Sequence, residues 1–161
     1  EMNWTQTSWT KITILAAALT AAASAQVAEK KSLTADGARK VIAAAAAHAN
    51  AKKTTGVIAV VDNGGNLVAL ERLDGTFAAG ANIAIGKAKS AAIFKRPTKA
   101  LEDALAADPT GPRILALDGA VPVNGGLPIL IDGRIVGAVG VSGGTGAQDA
   151  QCAQAGVNAL K

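Results

Sequence analysis

Between Thr34 and Lys53, apolar residues return every three or four positions: Ala38, Val41, Ile42, Ala45, Ala46 and Ala49. That period puts them on one stripe of an α-helix. Thr34 is placed to cap the helix, and Asp36 falls in its first turn, where a carboxylate meets the positive end. The period then shortens. Val57–Val61 and Leu67–Arg72 are apolar runs flanking Asp62-Asn63-Gly64-Gly65-Asn66. A turn cluster between two such runs predicts an antiparallel hairpin. Helical spacing returns over Thr76–Lys95, but Phe77, Ile83, Ile85, Ile93 and Phe94 do not share one stripe. A helix of that kind is covered on more than one side, here by the sheet and by a partner subunit. Pro97 ends it and opens a shorter helix in "PTKALEDAL", with Glu102 and Asp103 near its start.

Further along, "RILAL" (Arg113–Leu117) predicts a short strand and "GAVPVNGG" a loop. Leu127–Ile131 and Arg134–Val141 predict two more strands joined by Asp132-Gly133, a two-residue hairpin turn. In the last helix Thr145, with Gln148 three residues on, makes a capping box. Five strands, mostly joined by tight turns, form a mainly antiparallel sheet flanked by helices, so the class is α/β of the α+β type.

The segment "SGGTG" (Ser142–Gly146) joins the last strand to the last helix. A dinucleotide site needs Gly-x-Gly-x-x-Gly in a parallel unit, and a P-loop needs a terminal Lys-Ser/Thr; the chain has neither. The plain reading is a connector with positive φ at Gly143 or Gly144. The helix start behind it stays open to a carboxylate or phosphate.

Composition narrows the picture. Of the 161 residues half are hydrophobic, yet only 2 % are aromatic, so the core is built from Ala, Val, Ile and Leu. The length suits one domain. The net charge of +4 is scattered, without the basic stripe and interleaved aromatics of a nucleic-acid groove. Lys11 precedes the apolar run "ITILAAALTAAA", and "ASA" (Ala23–Ala25) offers a cleavage site. Residues 1–25 therefore read as a signal peptide, too short to span a membrane comfortably, with Glu1 an addition ahead of Met2. The expected mature domain is 26–161, periplasmic or secreted, and not membrane-bound after cleavage. One Cys and one His exclude an internal disulfide and a zinc site built within one chain. Cys152 falls off the apolar face of the last helix, as an exposed thiol or an interface residue.

Three motifs, "VVDNGGNLVALERLDG", "IAIGKAKSAAIFKRPT" and "NGGLPILIDGRIVGAVGVSGGTGAQDAQCA", follow one another at a set spacing. Together they resemble the GlcG/HbpS family of haem-binding or haem-degrading domains, which includes the C-terminal domain of PduO-type corrinoid adenosyltransferases. The resemblance runs from Leu33 to Lys161. It implies a profilin-like layered fold, homo-oligomers and, in some exported members, haem or iron-related binding.

His48 is the only imidazole, at the margin of the first helix's apolar stripe. The resemblance implies an axial haem ligand near the end of this helix; otherwise His48 is a solvated helix residue. In the same way Ser90 and Thr98 are implied as weak hydroxyl ligands, although Thr98 after Pro97 also reads as a helix start. Arg72, Asp74 and Lys87 are the charged residues of the motifs. An Arg and a Lys aimed at one point suit haem propionates or a small carboxylate, whereas Asp74 paired with Lys87 or Arg72 would be an internal salt bridge. Asp62 and Asp149 read as structural, in a turn and a first helical turn. Gly125 and Gly126, with Pro128, form a rigid loop whose bare backbone could line a ligand. No hydrolase constellation is visible. The leading reading is an exported, oligomeric haem-binding protein. The alternatives are an enzyme or accessory factor that clamps a small carboxylate with Arg72 and Lys87, and an oligomeric scaffold without a ligand.

Overall fold

The computed structural model describes residues 28–161. The predicted signal peptide lies outside the described residues. Lys31–Lys161 form one compact unit. Its elements are α1 (Ala35–Ala51), β1 (Val57–Asp62), β2 (Leu67–Arg72), α2 (Gly80–Ile93), α3 (Thr98–Ala107), a 3₁₀ turn (Gly111–Ala116), β3 (Gly126–Ile131), β4 (Arg134–Ser142) and α4 (Gly146–Asn158). Among the described residues no helix is long and apolar enough to cross a membrane.

Local chemistry sets most boundaries. The Thr34 side chain accepts the Gly37 N–H at the start of α1, and Thr145 and Gln148 close a capping box at the start of α4. Asp62 Oδ1 accepts the N–H groups of Gly64 (2.8 Å) and Asn66 (2.9 Å), which closes the β1–β2 turn. The carboxyl of Asp62 is thereby held below its ordinary pKa, chiefly by the Asn66 N–H. Asp132 and Gly133 both take positive φ, 51° and 71°, the conformation of a two-residue hairpin turn.

The sheet has four strands in the order β2-β1-β4-β3, antiparallel throughout. The expected fifth strand, Arg113–Leu117, is instead the 3₁₀ turn Gly111–Ala116. Pro112 at its first turn pre-sets a helical φ. The β3 edge also offers it no continuous ladder, because Thr98 takes the Gly126 N–H and Pro128 has none.

Alternate residues of β1 point to opposite faces. Ile58 and Val60 join Val139, Val141 and Ile129 beneath α1 and α4. Val57, Ala59 and Val61 join Ala138 beneath Ala84, Ala88, Ala91 and Ala92 of α2. On the α2 side the spacing is set by residues without bulk: a Cβ on Gly140 would overlap the Ala84 carbonyl oxygen and come within 2.5 Å of the Ala88 nitrogen. α2 is covered by the sheet along Gly80, Ala84, Lys87, Ala88 and Ala91, while Ile93 is 37 % exposed and Phe77, ahead of the helix, 49 %.

Candidate functional site

α2 and α3 carry three side chains that hold the loop ahead of β3. Ser90 Oγ accepts the Val121 N–H at 3.1 Å, Glu102 Oε2 the Asn124 N–H at 2.7 Å, and Thr98 Oγ1 the Gly126 N–H at 2.9 Å. Ser90 and Thr98 are fully buried. Their hydroxyls are committed to the backbone, which gives each a structural reason for its place.

Lys87 is 2 % exposed. Its Nζ donates to the Val141 carbonyl at 2.9 Å and to Asp149 Oδ2 at 2.8 Å. Asp149 Oδ1 in turn accepts the N–H groups of Gly143 (3.1 Å) and Gly144 (3.0 Å). The partner of Lys87 is thus Asp149, and not Asp74. Asp149 does more than favour a helix start: it ties the "SGGTG" connector to α2. Neither Gly143 nor Gly144 has positive φ. Their amides point at the Asp149 carboxylate, so that pair of N–H groups is not available to an outside phosphate.

Gly125 and Gly126 serve the same cluster. A Cβ on Gly125, at φ 121°, would stand 2.8 Å from the Val141 carbonyl and 2.9 Å from Lys87 Nζ. One on Gly126 would meet the Lys87 carbonyl at 2.5 Å. The bare backbone there faces α2 and the ion pair.

Arg72 is exposed at the end of β2 and donates to the Thr76 carbonyl. Asp74 is exposed, and its side chain pairs with neither Arg72 nor Lys87; its backbone carbonyl accepts the Thr55 hydroxyl at 2.7 Å. With Lys87 buried against Asp149, the structure does not bring Arg72 and Lys87 together as an anion clamp.

His48 is placed differently. It is half-buried in the last turn of α1. It lines a cleft of about 170 Å³ with Lys52, Thr54, Gln148, Gln151 and Cys152. Cys152 is buried at 5 % exposure, not an exposed thiol. Burial pushes its pKa up, the Asp149 charge adds to this, and hydrogen bonding with Thr54 partly offsets it. The buried stripe of α4 is Asp149, Cys152, Ala153, Gly156 and Val157. Cys152 lies at one margin of that stripe, and a wheel that counts only apolar residues omits Gly156 and Asp149, which connect it to Ala153 and Val157. Lys52 adds a cation to the cleft of the imidazole that no sequence motif singles out. Its one signal is its place four residues after His48.

The model of the family described as "Haem degrading protein HbpS-like" matches residues 33–158. The chain belongs to that family. Protein GlcG of Escherichia coli K12 is 41 % identical over 106 residues, which is 63 % of this chain and 75 % of GlcG. Among solved structures, a double mutant of HbpS from Streptomyces reticuli superposes with a TM-score of 0.76 at 32 % identity, over 84 % of this chain and 92 % of that one. A PduOC:haem complex superposes with a TM-score of 0.72 at 26 % identity, over 80 % and 94 %. The family shares with this chain the α+β architecture of an antiparallel sheet flanked by helices.

Proposed function

We propose that this chain binds haem, with His48 as an axial ligand. The observation that carries the reading is placement: His48 lines a cleft, while Lys87, Ser90 and Thr98 are bonded inside the fold. Membership of a family described by haem degradation supports it, as does similarity to a domain solved with haem. The donor set fits: a neutral imidazole is a common iron ligand, and Lys52 at the cleft rim is a cation suited to a propionate. Bound haem would supply a redox-active iron centre. His48 would hold and orient it, and Lys52 would neutralise a carboxylate.

At about 170 Å³ the cleft is smaller than the ~300–1,000 Å³ of sites that enclose a ligand. The cleft would therefore admit only part of a porphyrin, and a second copy of the chain would cover the remaining surface. This agrees with a homo-oligomer and, with "ASA" ahead of Gln26, with a role outside the cytoplasm in haem or iron handling.

Haemin titration of the full chain tests the reading. A saturable Soret band is expected, with His48→Ala weakening or shifting it and Lys52→Ala costing about two- to fivefold in affinity, the range of an exposed ion pair. An unchanged spectrum and affinity in His48→Ala would overturn the ligand assignment. Light scattering that shows one chain per particle with haemin bound would remove the second copy, and a mass that retains residues 1–25 in protein recovered outside the cytoplasm would remove the cleavage site.

A further inference from the structure

A second, larger cavity lies away from His48. It is a groove of about 520 Å³ floored by Leu127, Pro128, Leu130, Ile135 and Val157, where the β3 edge meets α4. Its volume lies within the ~300–1,000 Å³ range of small-molecule sites. Two cations, Lys95 and Lys161, stand among its lining residues, and no acidic side chain does. We infer that this groove is a binding site for an anionic amphiphile, a linear aliphatic carboxylate whose chain lies along β3 and whose head meets Lys95 or Lys161. The inference is independent of the haem reading.

Three observations select that chemistry. First, the groove does not suit a peptide strand. The Val141 N–H donates to the Gly125 carbonyl, so in the antiparallel register Gly126 and Pro128 direct their nitrogens away from β4. The Gly126 N–H is taken by Thr98, and Pro128 has none to give. An added strand would find that stretch of edge without donors, whereas an aliphatic chain needs none. Second, Leu130 is 46 % exposed at the groove, so apolar surface remains to be covered. Third, Lys95 directly follows Phe94, the C-cap of α2, in the left-handed conformation that ends many helices (φ 54°), and this places it on the groove rim, where its ammonium supplies the charge a carboxylate head needs.

Calorimetric titration of the full chain with sodium octanoate, decanoate and dodecanoate, below their micelle concentrations, is the test. One site per chain is expected. Affinity should rise about fourfold per added methylene until the groove is filled, then level off. Decyltrimethylammonium, with the same tail and the opposite charge, should bind at least about tenfold more weakly than decanoate. Lys95→Gly should weaken decanoate about two- to fivefold while leaving the melting temperature equal or higher, because glycine relieves the backbone at φ 54°. Lys95→Arg should retain affinity, and Leu130→Asp should lose at least about tenfold. His48→Ala should leave decanoate binding unchanged. The inference is overturned if no saturable site appears, if decyltrimethylammonium binds as well as decanoate, if Lys95→Gly and Leu130→Asp leave decanoate affinity unaltered, or if His48→Ala abolishes it.

Discussion

The two faces of the sheet solve the same burial problem in opposite ways. Beneath α1 and α4 the strands present Ile58, Val60, Ile129, Val139 and Val141, and branched side chains fill the gap. Beneath α2 the strands present Val57, Ala59, Val61 and Ala138 against a row of alanines, and Gly140 lets the helix backbone lie almost on the strand. A bulky interface can give a little when one methyl is lost; a backbone-to-backbone contact has no side chain to rearrange. The close face also holds a buried charge. Lys87 starts on α2 and ends at Asp149 of α4, so it ties the helix of one face to a helix of the other. The open margins are elsewhere, at His48 between α1 and α4 and along β3. Both candidate sites lie off the close face, one between two helices and the other where α4 leaves β3 partly uncovered.

That contrast is most sharply tested at the ion pair. Lys87→Met is expected to cost about 3–5 kcal/mol by denaturant unfolding, because it leaves Asp149 buried without its cation. Lys87→Met combined with Asp149→Asn should cost less than the single change, since no charge is then stranded and a side-chain oxygen still accepts the Gly143 and Gly144 N–H groups; a double variant as unstable as the sum of the two singles would mean that the pair is not coupled.

A smaller effect compares the faces directly. Gly140→Ala is expected to lose about 1–3 kcal/mol or more, because the new Cβ meets backbone of α2. On the other face Ile58→Val removes one methylene for about 0.5–1.5 kcal/mol. Equal costs in the same unfolding assay would erase the distinction between close and bulky packing.

The smallest effect belongs to the β1–β2 turn. Asp62→Ala should cost about 0.5–1 kcal/mol at neutral pH, since its partly solvated carboxylate holds the Gly64 and Asn66 amides. The sign with pH follows from its lowered folded pKa. The contribution is complete above the unfolded carboxylate value near ~3.9 and is lost as pH falls through the lower folded value. The wild type and Asp62→Ala should therefore converge in stability once the pH has fallen below the lowered folded value. A gap that widens with acid would refute this assignment.

Cys152 gives a reactivity counterpart. Its raised pKa and burial predict slow alkylation of the native chain at neutral pH and rapid alkylation once the chain is unfolded, followed by intact mass. Fast labelling of the native chain would place the thiol outside the core.

The helix stripe of α1, the caps at Thr34 and Thr145, the Asp62 turn and the Asp132-Gly133 hairpin are all legible in the amino-acid order, because their causes lie within a few residues of one another. So is the antiparallel pairing of β1 with β2 and of β3 with β4, since a tight turn brings the chain straight back alongside the strand it has left. His48 at the edge of its stripe is legible for the same reason, as a matter of helical phase. Other features depend on groups distant along the chain. Lys87 and Asp149 are 62 positions apart, and nothing local distinguishes that pairing from Lys87 with Asp74. Ser90 and Thr98 look like free hydroxyls in sequence because the amides they accept belong to residues 31 and 28 positions away. The short apolar run of Arg113–Leu117 reads as a strand, but a strand also needs an edge that will pair, and Thr98 and Pro128 interrupt the edge of β3. Local sequence determined which elements form and where they stop; only the tertiary structure decided which polar groups are spent holding the layers together and which remain to meet a ligand, because a side chain's partner is chosen by proximity in space.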